Sequence, residues 1–499
     1  MKRLFRILYI AGFLTLGVTS FTSCSLDPKQ SNYQDGEEPI KTADQLLATL
    51  NGAYARMTNS AYYGRDIIAF SEARSQYMYS TNATGRFGSV SGATVQPTHN
   101  YSVDTWKQIY KTITNANRVL EANQVVVAKN GDADLINFYK GQAYILRALG
   151  HFDLVKVYGQ QYVEDKGLNG MGVPYKTTTR DANESISRPT VKENLELIFA
   201  DLEKGIALLE ESTPKVSGNT SSVRARINLA SAYGFKSRIA LFASQFDKGY
   251  YDVVITASEK AIDSSKRQVA TRAGFIDGYK SEEVMTNSLF ELTQTGSDNQ
   301  FTASLFYVYF TDGSLGYGDL ICMPAKVDAI FDAKAVADGK KVEDIRRTVM
   351  EEDVTSDKSL RNMKKYTART SNIRIMRIEE IMLNYAEAAL EASNGDKAKA
   401  LAYVNEIAAK RYLIDDKQDD QIFKTLDLKT VRSERTKELM FEGFNFEDIM
   451  RWRGAVSNPA IKGNDDIDGD TISFGNPLLA LPIPQKEINV TGIDQNKGY

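Results

Sequence analysis

Residues 371–411 decide the fold of this chain and read SNIRIMRIEEIMLNYAEAALEASNGDKAKALAYVNEIAAKR. Apolar residues recur at helical spacing in the first half, which predicts one buried stripe formed by Ile375, Ile378, Met382, Tyr385 and Ala389. Asn394, Gly395 and Asp396 interrupt this helix. Glycine is expected to supply a left-handed turn that ends the helix, and aspartate can cap the next one.

A second amphipathic run follows this turn. Its apolar positions are Leu401, Val404, Ile407 and Ala408. Small residues lie where the two helices would meet, namely Ala386, Ala388, Ala389, Ala398, Ala400 and Ala402. Two antiparallel helices with small residues at their seam are typical of a tetratricopeptide hairpin.

A third helix is predicted near residues 431–452. It carries charged side chains among apolar neighbours, namely Arg432, Glu434, Arg435, Glu438 and Glu442. Charged groups are costly to bury unless they are paired. We therefore expect an ion-pair network that holds this helix against the hairpin.

The rest of the chain alternates helical patterns with loops. Helices are predicted at 42–57, 106–123, 134–158, 191–209, 223–246 and 251–263, a strand at 288–293, and short helical turns at 325–331 and 344–348. Antiparallel pairs are expected for 106–123 with 134–158, 191–209 with 223–246, 223–246 with 251–263, and 374–393 with 397–411. The predicted fold is mainly α, with tetratricopeptide-like hairpins that support a loop-rich region and a few short strands.

Composition limits the possible partners. The 499 residues have a net charge of −3, and the first 23 contain three basic and no acidic side chains, so removing them lowers the charge to −6. An acidic chain is a poor match for nucleic acid or anionic lipid. With two cysteines, Cys24 and Cys322, no disulfide framework holds the fold.

The N-terminus is typical of an exported protein. Lys2, Arg3 and Arg6 precede an apolar stretch from residue 7 to residue 18. This stretch is too short to span a membrane, so residues 1–23 are predicted to be a secretory signal. Residues 24–40 are polar and are predicted to form a tether to the folded body.

Two loops are the best candidates for a binding site. Residues 79–104 and 304–318 are rich in Gly, Ser, Thr, Asn and aromatic residues, and long loops in helical proteins are often functional. Sugars present C–H faces that stack on aromatic rings and hydroxyls that need polar partners. The candidate ligand-binding residues are Tyr79, Asn82, Arg86, Phe87, Tyr307, Tyr309, Asp312 and Tyr317. The alternative is that these aromatic residues are partly buried anchors of the loops.

No catalytic signature is found in the sequence, so no catalytic residue, cofactor or metal ion is predicted. His151 lies in the middle of a predicted helix and is expected to be a packed residue. Residues 464–475 partly fit a calcium-binding loop, but the twelfth position is Gly475 where the bidentate glutamate would stand. A solvated acidic loop is the simpler interpretation.

Three ordered motifs resemble the C-terminal half of the SusD/RagB family. They are the hairpin with Asn-Gly-Asp, the pattern R-x-E-R-x-x-E-L-x-F-E-G at 432–443 followed by D-I-M-R-W-R at 448–453, and the ending LPIPQKEINVTGIDQNKGY at 481–499. Residues 106–123 and 134–158 resemble the N-terminal half of the same family. The resemblance implies an N-terminal region at 41–225 and a C-terminal region at 226–499.

The sequence FTSCS at 21–25 resembles the lipobox of bacterial lipoproteins in a relaxed form, with Phe21 where leucine is usual. That resemblance implies a lipid on Cys24. The family resemblance implies a lipoprotein of the Bacteroidetes outer membrane that faces the cell exterior. It would capture an oligosaccharide, perform no chemistry, and deliver the ligand to a SusC-like TonB-dependent β-barrel transporter. An oligopeptide ligand, an extracellular glycosidase and a scaffold without a ligand of its own are the alternatives.

Overall fold

A computed structural model describes residues 39–499, except 130–132, 164–165, 180–185, 213–223, 281, 333–335, 338, 354–356, 463, 465–466 and 468. The predicted signal, Cys24 and nearly all of the predicted tether lie outside the described residues. Asp465, Asp466 and Asp468 of the 464–475 loop lie outside them as well. Residues Ile40–Tyr499 form one compact unit, and the division at residue 225 stays a prediction.

Helices dominate the described part of the chain, which confirms the predicted fold class. The α-helices are α1 (Ala43–Met57), α2 (Asp66–Ala73), α3 (Gly88–Ser91), α4 (Asn100–Glu121), α5 (Gln124–Ala128), α6 (Ala133–Tyr158), α7 (Val191–Ser212), α8 (Leu229–Ala243), α9 (Tyr250–Ser265), α10 (Arg272–Lys280), α11 (Leu305–Tyr309), α12 (Pro324–Ile330), α13 (Ile378–Glu391), α14 (Lys397–Ala409), α15 (Leu428–Leu439), α16 (Asn445–Arg451) and α17 (Gln485–Thr491). All four predicted helix pairs are in contact: α4 with α6, α7 with α8, α8 with α9, and α13 with α14.

The strands are short and pair antiparallel in twos. They are β1 (Met78–Ser80), β2 (Ser288–Leu292), β3 (Leu320–Cys322), β4 (Val342–Asp344), β5 (Met350–Glu352), β6 (Leu360–Asn362), β7 (Ile373–Arg377), β8 (Tyr412–Ile414), β9 (Ala455–Ser457) and β10 (Thr471–Ser473). The pairs are β1 with β3, β2 with β7, β4 with β8, β5 with β6, and β9 with β10. Strand β7 runs directly into α13, and β8 follows α14 after two residues, so their pairs with β2 and β4 fasten loops to the helical body.

The decisive hairpin forms as predicted, with two corrections. Ile375 lies in β7, so the helix begins three residues later, at Ile378. Asp396 caps α14 by accepting a hydrogen bond from the Lys399 amide at 2.9 Å, as predicted. The φ angle of Gly395 is not positive, so the predicted left-handed turn is wrong. Glycine is needed there because a Cβ atom would lie 2.1 Å from the Ala389 carbonyl oxygen.

The predicted third helix is broken in two. Helix α15 ends at Leu439 and α16 begins at Asn445. Between them Phe441 and Gly443 have φ values of 73° and 85°, a conformation incompatible with a continuing right-handed helix. A Cβ atom on Gly443 would lie 2.9 Å from the Ile68 Cα atom, so the bend lies directly against α2. We call residues 440–444 the bend.

The predicted ion-pair network is present and buried. Glu438 on α15 accepts from Arg377 Nη1 at 3.0 Å and from Arg411 Nε and Nη2, both at 2.9 Å. Glu442 in the bend accepts from Arg377 Nε at 2.9 Å and from Lys365 Nζ at 2.6 Å. Burial alone would raise the pKa of the Glu438 carboxyl, but the guanidiniums of Arg411 and Arg377 outweigh it and hold that pKa well below its usual range.

The variant Glu438→Gln should cost about 3–5 kcal/mol of folding free energy, because it removes the buried carboxylate that Arg377 and Arg411 share. Among the described residues, the two guanidiniums then keep only Glu379 and Glu442 as anionic partners. Equilibrium urea unfolding of the purified protein measures this cost. The matched control is Glu196→Gln, which breaks an exposed pair with Lys192 at 4.0 Å and should cost under about 0.5 kcal/mol. Equal effects of the two variants would contradict the structural role assigned to Glu438.

A second buried carboxylate ties α2 to the bend. Glu72 accepts from the Gly443 amide at 2.9 Å and from Asn445 Nδ2 at 2.7 Å. Within the described residues it has no ion-pair partner. Burial raises the pKa of Glu72 from 4.5 to about 7. The folded protein therefore holds this proton at a pH where the unfolded chain has lost it.

The sign of the resulting pH dependence follows from linkage. The folded state binds one more proton than the unfolded state between about pH 4.5 and pH 7, so this group lowers the free energy of unfolding as pH rises. In Glu72→Gln the difference in unfolding free energy between pH 5 and pH 8 should change by roughly 3 kcal/mol relative to the unsubstituted protein. Urea unfolding at both pH values measures it. An unchanged pH dependence would mean that Glu72 is not protonated at pH 5 in the folded state.

Candidate functional site

Strands β1 and β3 bring the two candidate loops together. They pair antiparallel, with Tyr79 opposite Ile321 and Ser80 opposite Leu320. The first loop therefore leaves the same two-stranded ribbon that the second loop enters. The two loops are more than 200 residues apart along the chain, and this strand pairing brings them side by side.

The first loop is a tight turn closed by its own hydrogen bonds. The Ser80 hydroxyl donates to the Arg86 carbonyl oxygen at 2.6 Å and accepts from the Asn82 amide at 3.0 Å. Asn82 has a φ of 60°, which asparagine tolerates better than most residues. This turn places Asn82 at the exposed tip of the loop and sets the direction of the Arg86 side chain.

The second loop is closed by Asp312 and by a backbone hydrogen bond. Asp312 Oδ1 accepts from the Ser314 amide at 2.9 Å and from the Leu315 amide at 2.7 Å. These backbone donors lower the pKa of the Asp312 carboxyl. The Tyr317 amide donates to the Tyr307 carbonyl oxygen at 2.8 Å, and the two tyrosine rings lie 5.4 Å apart between centroids at 46°.

Arg86 connects the two loops. Its guanidinium lies 4.0 Å from the centroid of the Tyr317 ring and donates to the Thr302 carbonyl oxygen at 3.3 Å. The same guanidinium lies 3.5 Å from Asp319, a buried carboxylate that also accepts from the Thr84 hydroxyl. Burial raises the pKa of Asp319, and the arginine charge opposes that shift.

Six of the eight predicted residues reach the surface. Tyr317 is 40% exposed, and Asn82 and Asp312 are exposed. Tyr79, Arg86 and Tyr307 are half-buried. Arg86 and Tyr307 both contact the Tyr317 ring where the two loops adjoin.

Phe87 and Tyr309 are in the core, and the prediction of ligand contact is corrected for both. The Phe87 ring stacks on Tyr101 with centroids 5.0 Å apart. The Tyr309 ring packs against Phe441 at 5.6 Å, and its hydroxyl donates to the Phe441 carbonyl oxygen at 3.4 Å. Neither side chain has exposed area, so both act as anchors of their loops, which was the alternative interpretation of the sequence.

Two surface residues were missed by the sequence interpretation. Phe301 is 54% exposed and Leu315 is 43% exposed, and both belong to the second loop or its entry. Large exposed apolar side chains beside an aromatic pair suit ligand stacking. We call the set of Arg86, Phe301, Tyr307, Leu315 and Tyr317 the aromatic surface.

A cleft of about 510 Å³ adjoins the aromatic surface. Gly85 of the first loop lies on its wall, next in sequence to Arg86. The cleft is lined by amide, carboxylate, imidazole and guanidinium groups, which can hydrogen-bond to sugar hydroxyls. These groups belong to Asn59, Arg65, His99, Asn100, Asp104 and Gln108. We call this the polar cleft. Its residues come from separate segments of the chain and form no sequence motif, so no local pattern could have revealed it.

The histidines and the buried cysteine carry no sign of chemistry. His99 Nδ1 accepts from the Tyr101 amide at 3.1 Å and so caps α4. His151 is buried and stacked on Tyr175 at 3.7 Å, and burial lowers its pKa to about 3, which confirms a packed helix residue. Cys322 is buried, and burial raises the pKa of its thiol far above the usual value.

The described residues contain neither a metal-binding cluster nor a membrane-spanning helix. No group of three or more His, Cys, Asp or Glu side chains there is placed to hold a metal ion. Among the same residues, none of the helices has the length and apolar character needed to cross a membrane.

Comparison with known proteins places two family models on this chain. One, described as "Starch-binding associating with outer membrane", matches residues 26–241, and one described as "SusD family" matches residues 354–499. A curated relative, SusD-like protein P2 of Formosa agariphila, is 23% identical over 546 residues that cover 100% of both chains.

Solved structures share the fold. A SusD superfamily protein of Bacteroides thetaiotaomicron aligns with a TM-score of 0.78 and 24% identity, covering 91% of this chain and 99% of that one. A putative sugar binding protein of Bacteroides vulgatus aligns with a TM-score of 0.75 and 24% identity, covering 93% and 100%. At these identities the likeness shows a common architecture over nearly the whole described body.

Proposed function

Because the chain belongs to the SusD family, we propose that it is a nutrient-binding protein of the outer membrane that captures an oligosaccharide on the aromatic surface and in the polar cleft. It hands the ligand to a SusC-like TonB-dependent β-barrel transporter. The protein is held to the membrane by a lipid on Cys24 and faces the cell exterior. It binds and releases its ligand without chemistry.

The observation that carries this proposal is the contact between an aromatic surface and a polar cleft. Tyr317 offers an exposed ring, and Arg86 fixes its position by stacking on it at 4.0 Å. Beyond Gly85 the cleft supplies hydroxyl partners, including Asn59, Asn100 and Asp104. Saccharides need both surfaces at once, since their rings stack and their hydroxyls hydrogen-bond.

The carboxylates at this surface support binding over hydrolysis. A glycosidase needs two carboxyl groups free to exchange protons with the substrate. Asp312 Oδ1 is used by the turn it closes, and Asp319 is buried against Arg86 and Thr84. Asp66 is buried beside Arg65, whose Nε donates to it at 2.6 Å. These three acids thus have structural partners. Asp104 of the polar cleft has no ion pair among the described residues, but it is a single carboxylate where a glycosidase needs two.

Ligand binding is tested with Tyr317→Ala. The variant should weaken binding of a captured oligosaccharide about fivefold, because one stacked ring contributes on the order of 1 kcal/mol. Thermal stability should fall only slightly, because the ring is 40% exposed and its contacts with Arg86 and Tyr307 lie at the surface. Affinity electrophoresis against a polysaccharide panel, followed by calorimetry, measures it. Tyr144→Ala, a half-buried tyrosine on α6, is the control and should bind normally.

Other results would redirect the assignment. Binding of peptides alone would give the protein an oligopeptide ligand. Release of sugars from the panel by the purified protein would make it an enzyme. Failure to bind any saccharide or peptide would leave it as a partner of the transporter without a ligand of its own.

Membrane attachment is tested with Cys24→Ser. Acyl chains anchor by burying methylenes, at roughly 0.8 kcal/mol each, so the variant should leave the membrane fraction and lose label from radioactive palmitate. The unsubstituted protein should retain both, and mass spectrometry of its mature N-terminus should find an acylated Cys24. Label that persists in the variant would place the lipid on another residue, and absence of label from the unsubstituted protein would exclude the lipid.

A further inference from the structure

A second cleft lies across helix α4 from the polar cleft. Its volume is about 280 Å³, and its walls include Trp106, Tyr110, Pro174, Ile186 and Glu487. Lys107 and Lys111 line both clefts, so their side chains form the ridge between them. A ligand chain that continued from the polar cleft into the second cleft would cross these two ammonium groups.

The two lysines are the uncompensated charges of this ridge. Both are exposed, and within the described part of the chain neither has an ion-pair partner. They lie four residues apart, about 6 Å along the helix axis, where like charges repel and destabilise a helix slightly. The positive charges nearby are neutralised, since Arg65 pairs with Asp66 at 2.6 Å.

The opposing charges on the walls are fewer. Asp104, one turn before Lys107, is the carboxylate of the polar cleft without an ion pair among the described residues. In the second cleft Lys176 and Glu487 balance one another in sign. The ridge therefore carries an excess of one positive charge, on a chain whose net charge is −3.

We propose that the captured ligand is an acidic oligosaccharide, one that bears carboxylate or sulfate groups, and that Lys107 and Lys111 bind those groups where the glycan crosses from the polar cleft into the second cleft. This inference rests on the proposed function and adds the substrate class. A neutral glycan can accept hydrogen bonds from these ammonium groups but cannot neutralise their charge, whereas an acidic glycan does both. An acidic glycan supplies the counter-charges that the helix itself lacks.

The second cleft is shaped to hold the continuation of such a chain. The Tyr110 hydroxyl donates to the Pro174 carbonyl oxygen at 2.7 Å, which fixes the ring as part of the wall. Trp106 and Tyr110 lie with ring centroids 4.9 Å apart at 55°. Aromatic and apolar walls suit the C–H faces of sugar rings, while the acidic groups stay at the lysine ridge in contact with water.

The test uses the purified full chain and a matched panel of polysaccharides. The acidic members are polygalacturonate, alginate and chondroitin sulfate, and the neutral members are starch, xylan and mannan. Affinity electrophoresis selects a binder, and calorimetry with its oligosaccharides measures the affinity at 50 and 500 mM salt. We expect an acidic member to bind, with affinity that falls at least fivefold at the higher salt concentration.

Three variants, one of them a control, assign the effect to the ridge. The double variant Lys107→Gln with Lys111→Gln should lose at least tenfold in affinity and most of the salt dependence, whereas Asp104→Asn should bind more tightly. Lys429→Gln, at another exposed helical lysine outside both clefts, should bind normally. All the substituted side chains are exposed, and urea unfolding verifies that the variants fold.

Each remaining outcome overturns the inference. A neutral glycan bound through Tyr317, with the lysine variant unaffected, would refute the acidic ligand and leave the proposed function standing. An acidic glycan bound equally well by the double lysine variant would refute the role of the ridge. Failure to bind any member of the panel would count against the proposed function itself, and the acidic ligand would fall with it.

Discussion

The structure depends on the buried carboxylate of Glu438 and the guanidiniums of Arg377 and Arg411 that donate to it. These three side chains come from α15, the end of β7 and the turn after α14. A buried charge without its partner is very costly, and hydrogen-bond geometry leaves little freedom in how the charges meet. Few arrangements of these three segments satisfy all the charges, so the network fixes how α15 sits against the hairpin of α13 and α14.

The bend connects this network to both candidate loops. Glu442 joins the same network through Arg377 and Lys365. Beside it, Phe441 packs on Tyr309, which holds α11 and hence the second loop. Gly443 donates to Glu72 on α2, the helix that leads into β1 and the first loop. Both loops are thus supported by five residues whose own conformation is set by buried charge.

The sequence predicted the structure well where the spacing of apolar residues indicates a buried helix face. The stripe through Ile378, Met382 and Tyr385 predicted a buried helix face, and α13 has it. The charged residues of 431–452 predicted a network, but not its individual partners. Glu434 pairs with Arg346 and Glu438 with Arg411, and ion pairs between separate segments follow no fixed spacing in the sequence. The break in the third helix was missed because an internal glycine is only a weak signal until its φ is known.

The candidate binding surface was harder to predict, because exposed residues in loops do not recur at a regular spacing. Phe87 and Tyr317 are both aromatic residues in glycine-rich loops, yet one is in the core and the other is 40% exposed. What separates them is the pairing of β1 with β3, a contact between strands about 240 residues apart. Composition therefore singled out two loops that adjoin in the structure, and only the tertiary pairing could identify which of their rings face outward.

Helix α4 shows how the core determines what a ligand meets. Its buried face packs Ile109 and Ile113 against α6, and a Cβ atom on Gly150 would lie 2.8 Å from Ile113 Cγ1. This close approach fixes the rotation of α4 about its axis. With 3.6 residues per turn, the same rotation puts Lys107 and Lys111 on the ridge between the two clefts and Asp104 on the wall of the polar cleft. Substitutions on the exposed face can change the charge offered to a ligand without disturbing the buried face, whereas a larger residue at position 150 would displace the helix and all three charges with it.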